Sequence, residues 1–131
     1  MKVLALDYGP ARTGVAVSDP TGTIARPLGV VERAGSDAGL RRLRGLIAEE
    51  EPERVVVGLP LTLRGEHGEQ ARETERFADS LRALVDVPVL LFDERFTTDL
   101  AQQSPSGTSE DARAAAHLLS SYLAWSSGGP A

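Results

Sequence analysis

Val3-Leu4-Ala5-Leu6 is an apolar run without polar alternation, and so reads as a strand covered on both faces. It ends on Asp7. Tyr8-Gly9-Pro10 turns the chain into a second run, Gly14-Val15-Ala16-Val17, which makes a hairpin with the first. Pro20-Thr21-Gly22 turns it again, and Ile24 to Val31 predicts a third strand. The period then changes. Leu40, Leu43, Leu46 and Ile47 recur at helical spacing behind Ser36, a suitable N-cap, with Pro52 just past the end. Val55-Val56-Val57, stopped by Gly58-Leu59-Pro60, is another fully buried strand. A loop with Gly65 and Gly68 leads into a helix carrying Ala71, Thr74, Phe77, Ala78, Leu81 and Leu84 on one face. Val87 to Phe92 predicts the fifth strand, ending at Asp93-Glu94, and a last helix spans Glu110 to Trp125.

The order β-β-β-α-β-α-β-α predicts an α/β fold, a mixed five-stranded sheet with helices on both faces. Ligands of such sheets gather at the carboxyl ends of the strands. A chain of 131 residues fits one domain, expected over residues 1–125, with 126–131 as a frayed tail.

Composition narrows the chemistry. With no cysteine there is no disulfide framework, thiolate zinc site or cysteine nucleophile. No window approaches the length of a membrane span, and Met1-Lys2 leads straight into a strand without a secretory signal. A cytoplasmic protein without a membrane partner is expected. The net charge of −5 argues against non-specific nucleic-acid binding, which usually shows a basic footprint. Two features soften that objection. Thirteen of the 14 cations are arginine, the side chain whose planar fork suits phosphate, although coding bias accounts for them equally well. An acidic metal site also lowers the apparent charge until its ions are bound.

Acids stand at three element ends. Asp7 closes the first strand and Asp93-Glu94 the fifth, so parallel strands would bring them to one sheet edge. Asp111 shares a helical face with Ala115, Leu118, Leu119 and Tyr122, and is expected to point inward. Convergent carboxylates repel and raise their own pKa values unless a cation joins them. Oxygen-only ligands suit Mg²⁺ or Mn²⁺, and a pair of such ions is a common device for phosphodiester hydrolysis. Each acid also has a structural reading. Asp111 near a helix start favours the macrodipole, and Asp93 beside Arg95 reads first as an ion pair. Asp7 is harder to explain that way, because a charge ending so apolar a run is costly when unpaired.

Other patterns carry less. Gly9 to Gly14 has the spacing of a phosphate loop but lacks the Lys-Ser/Thr, and a strand follows it. His67 reads as a turn residue and His117 as a packing or surface residue. Arg12, in the first turn and close to Asp7, suits a solvated surface or a phosphate equally. Thr97 and Thr98 suit a helix cap or a phosphate contact, capping being the simpler role.

Four segments in order, "LALDYGPARTGVAVSD", "VVVGLPL", "FDERFTT" and "DARAAAHLLSSYL", resemble the successive motifs of the YqgF-type bacterial family of pre-16S rRNA nucleases and Holliday-junction-resolvase-like proteins. The likeness runs from about Val3 to Leu123. It implies an RNase H-like fold and a metal-dependent nuclease with Asp7, Glu94 and Asp111 as metal-binding catalytic acids. Arg12, Arg95, Thr97 and Thr98 become substrate-contacting residues, and the implied cellular role is 5′-end maturation of pre-16S rRNA on the assembling small ribosomal subunit. This chain departs from the family pattern in two places. The stretch before the last aspartate, "DLAQQSPSGTSE", is short and holds no basic residue, and Thr13 replaces an aliphatic residue of the first turn, a small packing change.

Three alternatives compete with that reading. A Holliday-junction resolvase would share the chemistry, act on branched DNA and need a symmetric homodimer. A non-catalytic ribosome-binding module would keep the fold without the reaction. An ATP-binding protein of the actin and sugar-kinase type needs a second subdomain, for which the chain has no room.

Overall fold

The computed structural model describes residues 1–62, 64–96 and 109–128. The elements follow in the expected order: β1 (Val3–Asp7), β2 (Arg12–Ser18), β3 (Ala25–Glu32), α1 (Asp37–Glu50), β4 (Arg54–Leu59), α2 (Glu69–Arg82), β5 (Val89–Asp93) and α3 (Glu110–Gly128), with a 3-10 turn at Glu94–Phe96. The five strands form one sheet in the order β3-β2-β1-β4-β5. The β1–β2 and β2–β3 pairs are antiparallel, and β4 runs parallel to both β1 and β5. The carboxyl ends of β1, β4 and β5 therefore share one edge of the sheet. Pro27, which cannot donate to a ladder, sits in edge strand β3 where a register shift at Val15/Ala16 accommodates it.

Alternate residues of each strand enter two separate cores. Leu4, Leu6, Val15, Val31, Val55, Val57 and Val89 pack with Leu40, Leu43 and Ile47 of α1 and Phe77, Ala78 and Leu81 of α2. Val3, Ala5, Ala16, Val56 and Phe92 pack with Ala115, Leu118, Leu119, Tyr122 and Leu123 of α3. Tyr122 anchors α3 twice, by an edge-on contact with Phe92 (centroids 5.5 Å apart) and as acceptor of a 2.6 Å hydrogen bond from Arg54.

Helix ends follow the sequence signals. The Ser36 hydroxyl accepts from the Gly39 N–H at 3.0 Å, capping α1. The helix closes on a left-handed Glu51 just before Pro52. At the outer edge of the sheet, the Arg82 guanidinium donates to the Val89 carbonyl at 3.0 and 2.7 Å.

Three local expectations need correction. Leu84 is exposed rather than part of the α2 stripe, because the helix ends at Arg82. The last helix runs to Gly128, past the boundary expected at Trp125; a serine hydroxyl can bond back to its own helix, and Ser126 does so to the Leu123 carbonyl at 3.4 Å. Thr13 does more than fill space: fully buried, its hydroxyl meets both the N–H and the C=O of Gly9 at 3.4 Å and ties the first turn together.

Candidate active site

Asp7 lies where β1 leaves the sheet, on the face that packs against α3. On the strands to either side its neighbours are glycines: Gly14 pairs with Asp7 across the antiparallel ladder, and Gly58 follows Val57, the partner of Leu6. Two missing side chains leave a trough around the carboxylate, and two other acids enter it.

Glu94 enters from beyond β5. Strand residues alternate faces, so Phe92 points into the α3 core while Val89 points into the core beneath α1 and α2. The 3-10 turn begins directly after Asp93 and carries Glu94 back over Gly58. A Cβ on Gly58 would stand 2.6 Å from Glu94 Oε1 and 2.9 Å from its Cγ, so the glycine is what lets this side chain through. The Glu94 and Asp7 carboxyl groups face each other closely enough to share a proton. Burial raises both pKa values, and the mutual contact lifts Glu94 further, to about 7, so the pair retains a proton close to neutrality.

Asp111 enters from the first turn of α3. Ser109 caps that turn, its hydroxyl accepting from the Ala112 N–H at 3.1 Å and its carbonyl from the Arg113 N–H at 3.0 Å. The backbone there rests directly on Gly14: a Cβ on this glycine would overlap the Asp111 carbonyl oxygen. The charge of Asp111 reaches Asp7 and helps raise its pKa. Its carboxylate is paired with Arg12 Nε at 3.1 Å, although the Arg12 side chain is still 65 % exposed.

Asp93 is held apart from this cluster. It accepts from the Arg95 N–H at 2.9 Å and from the Arg95 guanidinium at 2.6 to 3.1 Å, which lowers its pKa. The same guanidinium lies against the loop at Gly65, so Arg95 is engaged with structural neighbours. The ion-pair reading of Asp93 therefore holds. Thr97 and Thr98 lie outside the described residues. His67 is 3.6 Å from Glu75, on α2.

The structure thus brings Asp7, Glu94, Asp111 and Arg12 together and leaves Asp93 and Arg95 paired beside them. Among the described residues no three acidic or histidine side chains stand in ready metal-holding geometry, and Asp111 is paired with Arg12. The donor set nevertheless suits a hard divalent ion: all its atoms are oxygen, and two carboxylates crowded enough to share a proton gain from a cation between them. Gly14 and Gly58 are the residues that sequence reading missed. Glycine inside a strand signals close approach of another segment, and that signal was present at both positions.

Comparison with known proteins agrees with this architecture. The family described as "RuvX: Holliday junction resolvase" matches residues 1–125. A Chloroflexus aggregans protein named "Putative pre-16S rRNA nuclease" is 42% identical over 130 residues, covering 92% of both chains. A protein of the same name from Sulfurihydrogenibium sp. is 37% identical over 131 residues, covering 93% of this chain and 89% of its own. Among solved structures, T. thermophilus RuvC in complex with a Holliday junction substrate superposes with a TM-score of 0.68 at 16% identity, over 98% of this chain and 97% of that one. The fold is RNase H-like, of the RuvC type.

Proposed function

Since the chain belongs to the RuvX family, we propose that it is a metal-dependent nuclease that hydrolyses phosphodiester bonds in structured nucleic acid. The observation that carries this reading is the convergence on Asp7, at the carboxyl edge of the sheet, of Glu94 threaded over Gly58 and of the start of α3 at Asp111 resting on Gly14. Asp7, Glu94 and Asp111 are the residues that would hold Mg²⁺ or Mn²⁺. A pair of such ions, when bound, supplies charge for the attacking and leaving oxygens of an in-line displacement.

The chain's own groups do the positioning. Asp7 is fixed at the end of a central strand, and Glu94 is threaded over Gly58, so both carboxylates are oriented before any substrate arrives. Arg12 is tethered to Asp111 by one nitrogen and remains exposed, leaving the rest of its fork to take a phosphate. If Arg12 moves to the phosphate, Asp111 is released toward the other two acids. Following the family motif, Arg95, Thr97 and Thr98 are assigned as further substrate contacts, Arg95 only after it leaves Asp93.

The substrate we favour is the 5′ region of pre-16S rRNA on the assembling small ribosomal subunit, in the cytoplasm, following the names of relatives 37–42% identical. The family description favours a second reading, resolution of branched DNA, for which symmetric cutting of two strands would call for a homodimer.

End-labelled pre-16S RNA and four-way-junction DNA incubated with Mn²⁺, Mg²⁺ or EDTA separate these readings. Cleavage is expected with metal only, and is expected to disappear in Asp7→Asn. Cutting that survives Asp7→Asn sinks the three-acid site, and preference for the junction transfers the function to the second reading.

A further inference from the structure

A second arginine stands at the same edge, held in an unusual way. Arg33 directly follows β3, and its N–H donates to the Ala11 carbonyl at 2.9 Å, which sets it beside the turn that bears Arg12. Its φ is 47°, in the left-handed region that favours glycine or asparagine. Several contacts impose that conformation. The Arg33 carbonyl accepts from the Ser36 N–H at 2.9 Å and from the Ser36 hydroxyl at 2.7 Å, and Gly39 packs where a Cβ would overlap the same oxygen. The Arg33 side chain is exposed, and among the described residues its guanidinium has neither an ion-pair nor a hydrogen-bond partner.

Residues held in a disfavoured backbone state by their surroundings cluster at active sites and ligand clamps. Closing this corner would be easier with glycine, yet a long cation is kept there. The charge balance of the edge gives it a use. Three acids surround the trough, and residues 99–110 contribute no lysine or arginine to offset them. Cations that guide a polyanion to this edge must come from other segments, and the two corners beside the trough each supply one.

We propose that Arg33 is a second phosphate-binding residue, which grips the sugar-phosphate backbone of the substrate strand beside the phosphate held at Arg12. This rests on the nucleic-acid reading above and adds a contact to it. The contact is to backbone, so it strengthens binding without selecting sequence.

The test measures binding of a fluorescein-labelled RNA hairpin in EDTA, across a series of KCl concentrations, for wild type, Arg33→Gly, Arg33→Asn and Arg44→Ala. Glycine and asparagine both tolerate the left-handed corner, so these two variants are expected to melt no lower than wild type. They are expected to bind about fivefold more weakly, with the slope of log K against log salt reduced by about 0.7–0.9. Arg44, exposed beside a separate cleft with Pro52 and Val87, is the control, and its replacement is expected to leave both quantities unchanged. Wild-type affinity and slope in Arg33→Gly would overturn the proposal alone, as would an equal loss in Arg44→Ala. A wild-type protein with no affinity for the hairpin or for junction DNA would overturn the nuclease reading along with it.

Discussion

Toward α1 and α2 the sheet presents Leu4, Leu6, Val15, Val31, Val55 and Val57, and the helices answer with Leu40, Leu43, Phe77 and Leu81. Toward α3 it presents Val3, Ala5, Ala16 and Val56, and the row ends in Gly14 and Gly58 at the carboxyl edge. The first face is filled with bulky side chains, as befits a layer whose work is to exclude water. The second becomes smaller toward one end until helix backbone rests on strand backbone. That taper lets α3 bring Asp111 to the height of Asp7, and it gives Glu94 a passage over the sheet. Bulk on one face gives stability; its absence on the other gives a site.

The harshest way to break the contrast is Gly14→Val. The new side chain has to displace the start of α3 from β2, so a loss of about 3 kcal/mol or more is expected, together with nuclease activity. Thermal melting followed by the near-ultraviolet signal of Tyr122 and Trp125 would report it. Gly45→Ala is the matched control, because a Cβ there meets nothing within 4 Å. Equal losses from the two would show that the tight approach at Gly14 has no special standing.

Leu43→Ala probes the bulky face. It opens a void in a fully buried position and is expected to cost about 2–5 kcal/mol by urea unfolding. Cleavage per folded molecule, measured well below the melting transition, should stay at the wild-type level. A large fall there would mean that the two faces are not separable.

Gly58→Ala reverses that pattern. The methyl group meets mainly the movable end of Glu94, with Leu118 Cδ2 at 3.1 Å, so stability should change by less than about 1.5 kcal/mol. Displacing Glu94 is expected to slow cleavage by roughly 10- to 100-fold. Unaltered kinetics would remove Glu94 from the reaction.

The acids themselves give a finer test. Glu94 and Asp7 bind protons more tightly folded than unfolded, so their stabilising effect is complete below the ordinary carboxylate range. It is lost as pH rises through about 7, where Glu94 ionises. In EDTA, wild type should therefore lose a few degrees of Tm between about pH 5 and about pH 8 relative to Glu94→Gln. Parallel pH profiles would contradict the shared proton.

Much of this was legible in the chain. Unbroken apolar runs marked β1 and β4, helical spacing behind Ser36 marked α1, and the element order followed from the changes of period. Placing acids at the ends of β1 and β5 was equally direct. What remained hidden depended on contacts distant in sequence. Asp93 and Glu94 are adjacent and chemically alike, and only the strand's alternation and the turn after it send one to Arg95 and the other to Asp7. The Arg12–Asp111 pair joins residues 99 positions apart, which no local pattern reveals. Thr13 looked like a packing substitution because its partner, the backbone of Gly9, leaves no trace in side-chain composition.

Arg82 sets a limit on how copies of this protein can meet. β5 is the last strand, and an unpaired strand edge invites another chain to continue the sheet. The Val55 N–H donates to the Pro88 carbonyl, so Val89 turns its carbonyl outward, and the Arg82 guanidinium already occupies it. A neighbour trying to zip onto this border finds its first rung taken and a proline just before it. Pairing of two copies through β5 is thereby steered away from a shared, continuous sheet. Arg82→Ala would uncover that rung, and slow growth of larger species in concentrated samples, followed by sedimentation velocity, is the small effect expected.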